Sequence, residues 1–276
     1  MSKSVSLESI KINRFDPSVM EKRRVSGSPP TCIFIGKRGT GKSTLIADIM
    51  FFMRAIPFGM IISGTEEGTG FYKNYFPDLF IHSEYQTELV ESLVNRQRRV
   101  LKEVQKADPQ STKPDPHSFL LLDDLMYDKS ITNEKIIRQL FFNGRHLKIL
   151  FLLSLQYCMS IRPELRSNVD YLFILRENNI DNQKKMWKSY FGMFEKFTDF
   201  QQTFMSCTEN YECIVLDNTS KSNKIEDCVF WYKATPNRKY KLGSLSLWKF
   251  AASQQTQDNN QEPETSAKKK KIIIRK

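Results

Sequence analysis

Short runs of apolar residues alternate along this chain with longer stretches in which apolar positions recur about every three to four residues. The short runs are Thr31 to Ile35, Gly59 to Ser63, Ser118 to Asp123, Lys148 to Gln156 and Asp170 to Arg176, and they predict strands buried on both faces. Between them, Lys42 to Arg54 places Leu45, Ile46, Ile49 and Phe52 along one side of a helix. Glu84 to Lys106, Thr132 to Asn143 (with Thr132 as N-cap), Asp181 to Tyr190 and Glu195 to Ser206 predict further helices. Tyr211 to Leu216 and Asp227 to Lys233 flank a polar turn and predict a hairpin. Strands that alternate with helices in this way predict an α/β fold, with a mainly parallel sheet and helices on both faces.

The ends read differently. Residues 1–30 predict a poorly packed N-terminal extension, closed by the linker-like EKRRVSGSPP. Residues 31–251 then form the regular domain. Residues 252–276 read as a disordered basic tail: Ser253 to Ala267 is polar and of low complexity, and KKKKIIIRK follows at 268–276. Those nine residues hold six of the basic groups behind the net charge of +11, so the rest of the chain is only modestly basic. Such a tail suits phosphate contacts, a nuclear address or simple solubility. Among the 276 residues, 40% are hydrophobic, which supports a core, yet no apolar run approaches the ~20 residues of a membrane span. Five scattered cysteines without a CxxC pair argue against a disulfide framework or zinc site and for a reducing setting.

Candidate chemistry concentrates at two strand ends. After the first strand comes Gly36-Lys37-Arg38-Gly39-Thr40-Gly41-Lys42-Ser43, which fits GxxxxGK[ST] at every fixed position, with Thr44 next in the helix. The glycines let successive backbone N–H groups turn inward around phosphate oxygens, and the following helix adds its N-terminal partial charge. Lys42 can reach the β- and γ-phosphates, and the Ser43 hydroxyl can ligate Mg²⁺. The strand Phe119 to Leu122 ends in Asp123 and Asp124, at the edge where ligands bind in open α/β sheets. Asp123 would hold Mg²⁺ through water, and Asp124 would orient or deprotonate an attacking water. In chain order, strand Gly59 to Ser63 falls between the phosphate loop and the acid pair, an arrangement that resembles the additional-strand class of P-loop ATPases.

Gln156, at the end of the strand after that, is placed to sense a γ-phosphate. Arg145, just before the same strand, is a candidate arginine finger acting on a neighbouring subunit, with Arg162 and Arg166 as rivals. His82, His117 and His146 lack ligand spacing. Asn223 to Glu226 nearly matches a guanine-selecting NKxD, but it ends in Glu and sits in a polar turn. Phe71, Tyr72, Tyr75 and Phe76 form an aromatic cluster suited either to a packed loop or to one facing DNA.

Together GKRGTGKS, FLLLDD, FFNGRHLKI leading to Gln156, and RPELRSNVDYLF resemble the genome-packaging ATPases of large nucleocytoplasmic DNA viruses, within the FtsK/HerA superfamily. The resemblance spans residues 30 to 235. It implies ATP and Mg²⁺, with Gly36 to Ser43 as Walker A, Asp123 and Asp124 as Walker B, Gln156 as sensor and Arg145 as finger. It also implies a homo-oligomeric ring, a hexamer, that moves double-stranded DNA into a capsid beside a capsid or portal protein. The implied place of work is the infected cell's cytoplasm or virus factory, or the virion. The superfamily's commoner Asp-Glu is Asp-Asp here, which leaves open whether Asp124 acts as a base or positions water. Two other readings are a P-loop nucleotide kinase, which would need an Arg-rich lid, and a nucleotide-gated scaffold that does not hydrolyse, against which the acid pair speaks.

Overall fold

The computed structural model describes residues 10–108, 111, 113–125 and 130–259. Nine strands form one sheet: β1 (Asn13–Arg14), β2 (Thr31–Ile35), β3 (Phe58–Ser63), β4 (Ile81–His82), β5 (Ser118–Asp123), β6 (Ile149–Leu155), β7 (Tyr171–Ile174), β8 (Glu212–Asp217) and β9 (Val229–Lys233). Their order is β1-β9-β8-β7-β2-β6-β5-β3-β4. From β7 to β4 all pairings are parallel; β8 runs antiparallel to both β7 and β9, and β1 joins β9 in parallel. The helices longer than one turn are α1 (Ser18–Val25), α2 (Lys42–Phe52), α3 (Thr87–Lys106), α4 (Lys135–Asn143), α5 (Ile180–Tyr190), α6 (Phe197–Cys207) and α7 (Leu245–Asn259).

Alternation along each central strand sorts the core into two layers. Ile33, Ile35, Leu120, Leu122, Phe151 and Leu153 face one side, where Val90 and Leu93 of α3, Ile137 and Leu140 of α4, Met186 of α5 and Phe200 of α6 cover them. Cys32, Phe34, Phe119, Leu121, Leu150 and Leu152 face the other, beneath Met20 of α1, Leu45 and Ile49 of α2, and Leu247 of α7. With every central position buried, both faces must be apolar, which explains the near-continuous hydrophobic runs. The predicted hairpin is β8 and β9, paired antiparallel.

Three expectations need correction. The N-terminal extension is not poorly packed over residues 10–30. Asn13 and Arg14 pair with Phe230 and Trp231, Phe15 and Met20 are buried, and Arg24 is held by Glu21 and Asp115 while Arg23 pairs with Asp170. Residues 252–259 continue helix α7, which is anchored through buried Leu247 and Ala251; residues 260–276 with the basic run lie outside the described residues, as do 1–9. Thr132 does not cap α4. It is buried in a 3₁₀ turn over Ile131–Asn133, and Glu134 takes the N-cap position, its carboxylate accepting from Tyr85 and Thr87.

The segment after β9 is strapped onto α2. Asp48, buried in the middle of α2, accepts from the Tyr232 hydroxyl and from Arg238 Nε, and Tyr240 donates to the Ala47 carbonyl. The Arg238 guanidinium also lies over the Phe51 and Phe52 rings. Replacing Arg238 with Ala leaves a buried carboxylate with one donor, so we expect a loss of about 3 kcal/mol, read from the midpoint of urea unfolding. An unchanged midpoint would mean that the strap contributes nothing to holding α2.

Candidate active site

Strand β2 delivers the chain at its C-terminal end into the glycine-rich turn, and α2 begins at Lys42. Gly39 (φ 79°) and Gly41 (φ 94°) adopt left-handed backbone that a side chain would resist. Gly36 is required for a different reason: a Cβ there would lie 2.6 Å from Thr40 Oγ1 and 2.9 Å from a Leu175 methyl. Thr40 closes the turn, its N–H and hydroxyl both donating to the Lys37 carbonyl. Lys42 is buried and folds over the loop, donating from Nζ to the Gly36 carbonyl at 3.0 Å.

Strand β6 lies between β2 and β5, so the acidic strand tip is one strand removed from the phosphate loop. The inserted strand is therefore the one that ends before Gln156, while Gly59–Ser63 pairs on the far side of β5. This spacing brings the predicted residues together. Ser43 Oγ donates to Asp123 Oδ2 at 3.3 Å, and Gln156 Nε2 donates to Asp124 Oδ1 at 2.6 Å. Asp124 takes a left-handed backbone (φ 53°), a conformation that Asp tolerates better than most residues and that turns the chain sharply at the strand end.

Asp123 is 1% exposed, and its Oδ1 has no hydrogen-bond partner among the described residues. A buried carboxylate oxygen without a donor is costly. Beside the Ser43 hydroxyl it forms an all-oxygen pair of the kind Mg²⁺ prefers, so these residues fit that ion. When bound together with a triphosphate, Mg²⁺ would supply charge neutralisation at the β- and γ-oxygens.

Two residues at this site were not foreseen. Tyr72, from the aromatic cluster, donates its hydroxyl to Asp123 Oδ2 at 2.7 Å. Burial, with the Asp123 carboxylate beside it, pushes its phenol well above the usual range and keeps it a neutral donor. Buried Glu66 fixes it by accepting the backbone N–H groups of Tyr72 and Lys73. The cluster thus packs onto the domain: Tyr72 and Phe76 are buried. Glu177, just past β7, accepts from Lys37 Nζ of the loop at 2.6 Å. Burial pushes its carboxyl up, but donation from Lys37, Asn179 N–H and Asn182 outweighs this and lowers it overall. A carboxylate at the exit of a strand beside the phosphate strand follows the same logic that singled out Asp123, so the sequence did carry that signal for Glu177.

Arg145 is not brought to this cluster. It precedes β6, at the opposite edge of the sheet from Gly36 to Ser43, and β6 spans about 20 Å. Arg162 is exposed on the loop side, 3.8 Å from Glu164. Arg166 donates to the Ile161 carbonyl and lies over Tyr190, a packing role. Among the described residues no cluster of His, Cys, Asp and Glu could hold a metal by itself, and no helix is long and apolar enough to cross a membrane.

A phosphate loop on one strand, an acid pair two strands over, and a strand between them ending in Gln define a P-loop ATPase fold of the additional-strand class. The solved DNA-packaging ATPase B204 of Sulfolobus turreted icosahedral virus superposes with a TM-score of 0.51 at 14% identity, covering 75% of this chain and 98% of that one. The conjugation coupling protein TcpA of pCW3 gives 0.54 at 14% identity, over 77% of this chain and 62% of that one. At such identity these likenesses concern the fold. The Poxvirus A32 protein family matches residues 19–233, and this chain belongs to that family. Protein 075L of invertebrate iridescent virus 6 is 39% identical over 218 residues, 77% of this chain and 81% of that one.

Proposed function

We propose that this chain is an ATP-hydrolysing motor that drives double-stranded viral DNA into a capsid. The observation that supports the reading is the meeting of Ser43 with Asp123 at 3.3 Å and of Gln156 with Asp124 at 2.6 Å, one pair suited to a metal ion and the other to aligning a water, both beside one phosphate loop. In this reading Gly36 to Thr44 cradles the triphosphate, Lys42 moves from the Gly36 carbonyl to its β- and γ-oxygens, and Asp124 with Gln156 aligns the attacking water. Subunits form a ring, a hexamer, working with a capsid or portal protein at the virus factory in the cytoplasm. Support comes from membership of the A32 family and from the fold shared with B204, whose description is that of a DNA-packaging ATPase.

The experiment is phosphate release with and without duplex DNA. We expect release in both cases, faster with DNA. No release, or a rate indifferent to DNA, would end the motor reading. Because the grip is on backbone phosphates, DNA affinity should fall on the order of 10³-fold between about 50 and 200 mM salt, with little dependence on sequence. Binding by fluorescence anisotropy that survives the higher salt would instead mean recognition of base edges or apolar contact.

A further inference from the structure

The phosphate loop has two flanks, and the mechanism above uses only one. Asp123, Asp124 and Gln156 all stand on the β6–β5 side, which fixes where the γ-phosphate and its metal lie. A nucleotide seated on the loop must therefore run its ribose and base toward the other flank, the exits of β7 and the start of β8. One residue there is set apart by its exposure. Tyr211, immediately before β8, is 71% exposed, as much as any large hydrophobic side chain among the described residues.

Its backbone is held in an unusual way. Asn210 (φ 49°) and Tyr211 (φ 64°) are consecutive residues in the left-handed region. Asn visits that region readily, but a bulky aromatic does so rarely, and such outliers gather at ligand sites. The conformation swings the ring onto the phosphate loop: a Cβ on Gly41 would lie 3.2 Å from Tyr211 Cδ1. Gly41 is the residue from which α2 starts, and its carbonyl accepts the Leu45 N–H. An exposed aromatic ring is thus set against the base of the phosphate cradle, on the flank opposite the metal pair. Burial would be the usual reason to keep such a ring, and here it is absent.

We propose that Tyr211 is the base-stacking residue of this site, offering its ring face to the nucleobase of the nucleotide whose phosphates the loop holds. The inference rests on the nucleotide-binding reading of that loop and adds to it the residue that recognises the rest of the molecule. Stacking on an aromatic face is tolerant of base identity but requires that a base be present.

That requirement provides the test. Binding of ATP and of inorganic tripolyphosphate, both with Mg²⁺, is measured by calorimetry on the full chain. In Tyr211→Ala, ATP affinity should fall about tenfold while tripolyphosphate affinity stays within about twofold, the stacking loss being confined to the ligand that has a base. Tyr211→Phe should keep ATP affinity. Tyr211→Asn suits the left-handed backbone yet lacks a ring, so it should lose ATP affinity as Ala does, separating the ring from loop strain. Parallel loss of both ligands would mean that Tyr211 only props the loop, and unchanged ATP binding would mean that the base lies elsewhere; either overturns the proposal. Wild-type protein that binds neither ligand would overturn the phosphate-loop reading itself, and this inference with it.

Discussion

Asp124→Asn should lower steady-state phosphate release about 10²- to 10⁴-fold while ATP affinity stays within a few-fold, the range by which a positioned general base accelerates proton transfer. The substitution isolates the chemistry unusually well. Asn accepts a left-handed backbone as readily as Asp, so the φ of 53° does not strain the variant. The amide oxygen can still accept from Gln156 Nε2, which now donates to the carboxylate at 2.6 Å. Asp123, Ser43 and Lys42 are untouched, so the phosphate cradle and the metal pair persist. What disappears is the negative charge that can take or orient a proton. Lys42→Ala should give the contrasting pattern, with both binding and hydrolysis failing, because in the proposed function the lost group contacts the phosphates directly. Calorimetry for binding and single-turnover hydrolysis for chemistry separate the two. If Asp124→Asn keeps more than about a tenth of the wild-type rate, general-base chemistry is not its role. Water would then be aligned chiefly by Gln156, as the shorter acid at this position allows.

The parts of this molecule that the sequence disclosed are those whose causes are local. Thr31 to Ile35, the glycine turn and Leu45, Ile46 and Ile49 form one continuous stretch in which strand burial, turn geometry and helix periodicity agree. Leu120 to Asp123 was legible for the same reason, since a run buried on both faces must end where polar groups regain solvent or a ligand. The errors lie where the cause is distant. Asn13 and Arg14 are a strand only because Phe230 and Trp231 offer an edge more than two hundred residues away, and α1 has a weakly apolar face whose arginines find Asp115 and Asp170 across the fold. Helix α7 extends into a Gln-rich stretch because Leu247 and Ala251 anchor its start; a low-complexity composition says nothing about a docked first turn. Tyr72 reached the site by a third route. Its hydroxyl meets Asp123 because Glu66 grips its backbone, a tertiary contact that no spacing rule encodes.

Arg145→Ala should abolish DNA-stimulated phosphate release by itself and regain part of it when mixed with Lys42→Ala protein, which is equally inactive alone. The position of Arg145 makes this a geometric claim. It stands at the entry of β6 while its own phosphate loop lies at the exit of β2, about 20 Å along the same sheet and beyond the reach of one side chain. An arginine so placed can serve a nucleotide only if the entry edge of one subunit faces the exit edge of the next, a head-to-tail contact of the kind that closes into rings. Its edge of the sheet offers a place for such docking: Arg145 borders a notch with Arg23, Phe141, Asn168, Asp170 and Asn218. In a mixed ring, a Lys42→Ala subunit carries an intact Arg145 and can complete the intact phosphate loop of an Arg145→Ala neighbour. Random mixing at equal amounts makes about a quarter of such heterologous contacts competent, which sets the ceiling for recovery if each site fires independently. Arginine at a transferring phosphoryl group contributes about 10³- to 10⁵-fold in rate, so even this fraction stands far above either parent alone. The same mixture made with Arg162→Ala in place of Arg145→Ala is the control. Recovery with Arg162 and none with Arg145 would move the finger to the exposed residue on the loop side. Absence of recovery in both mixtures would remove action between subunits altogether.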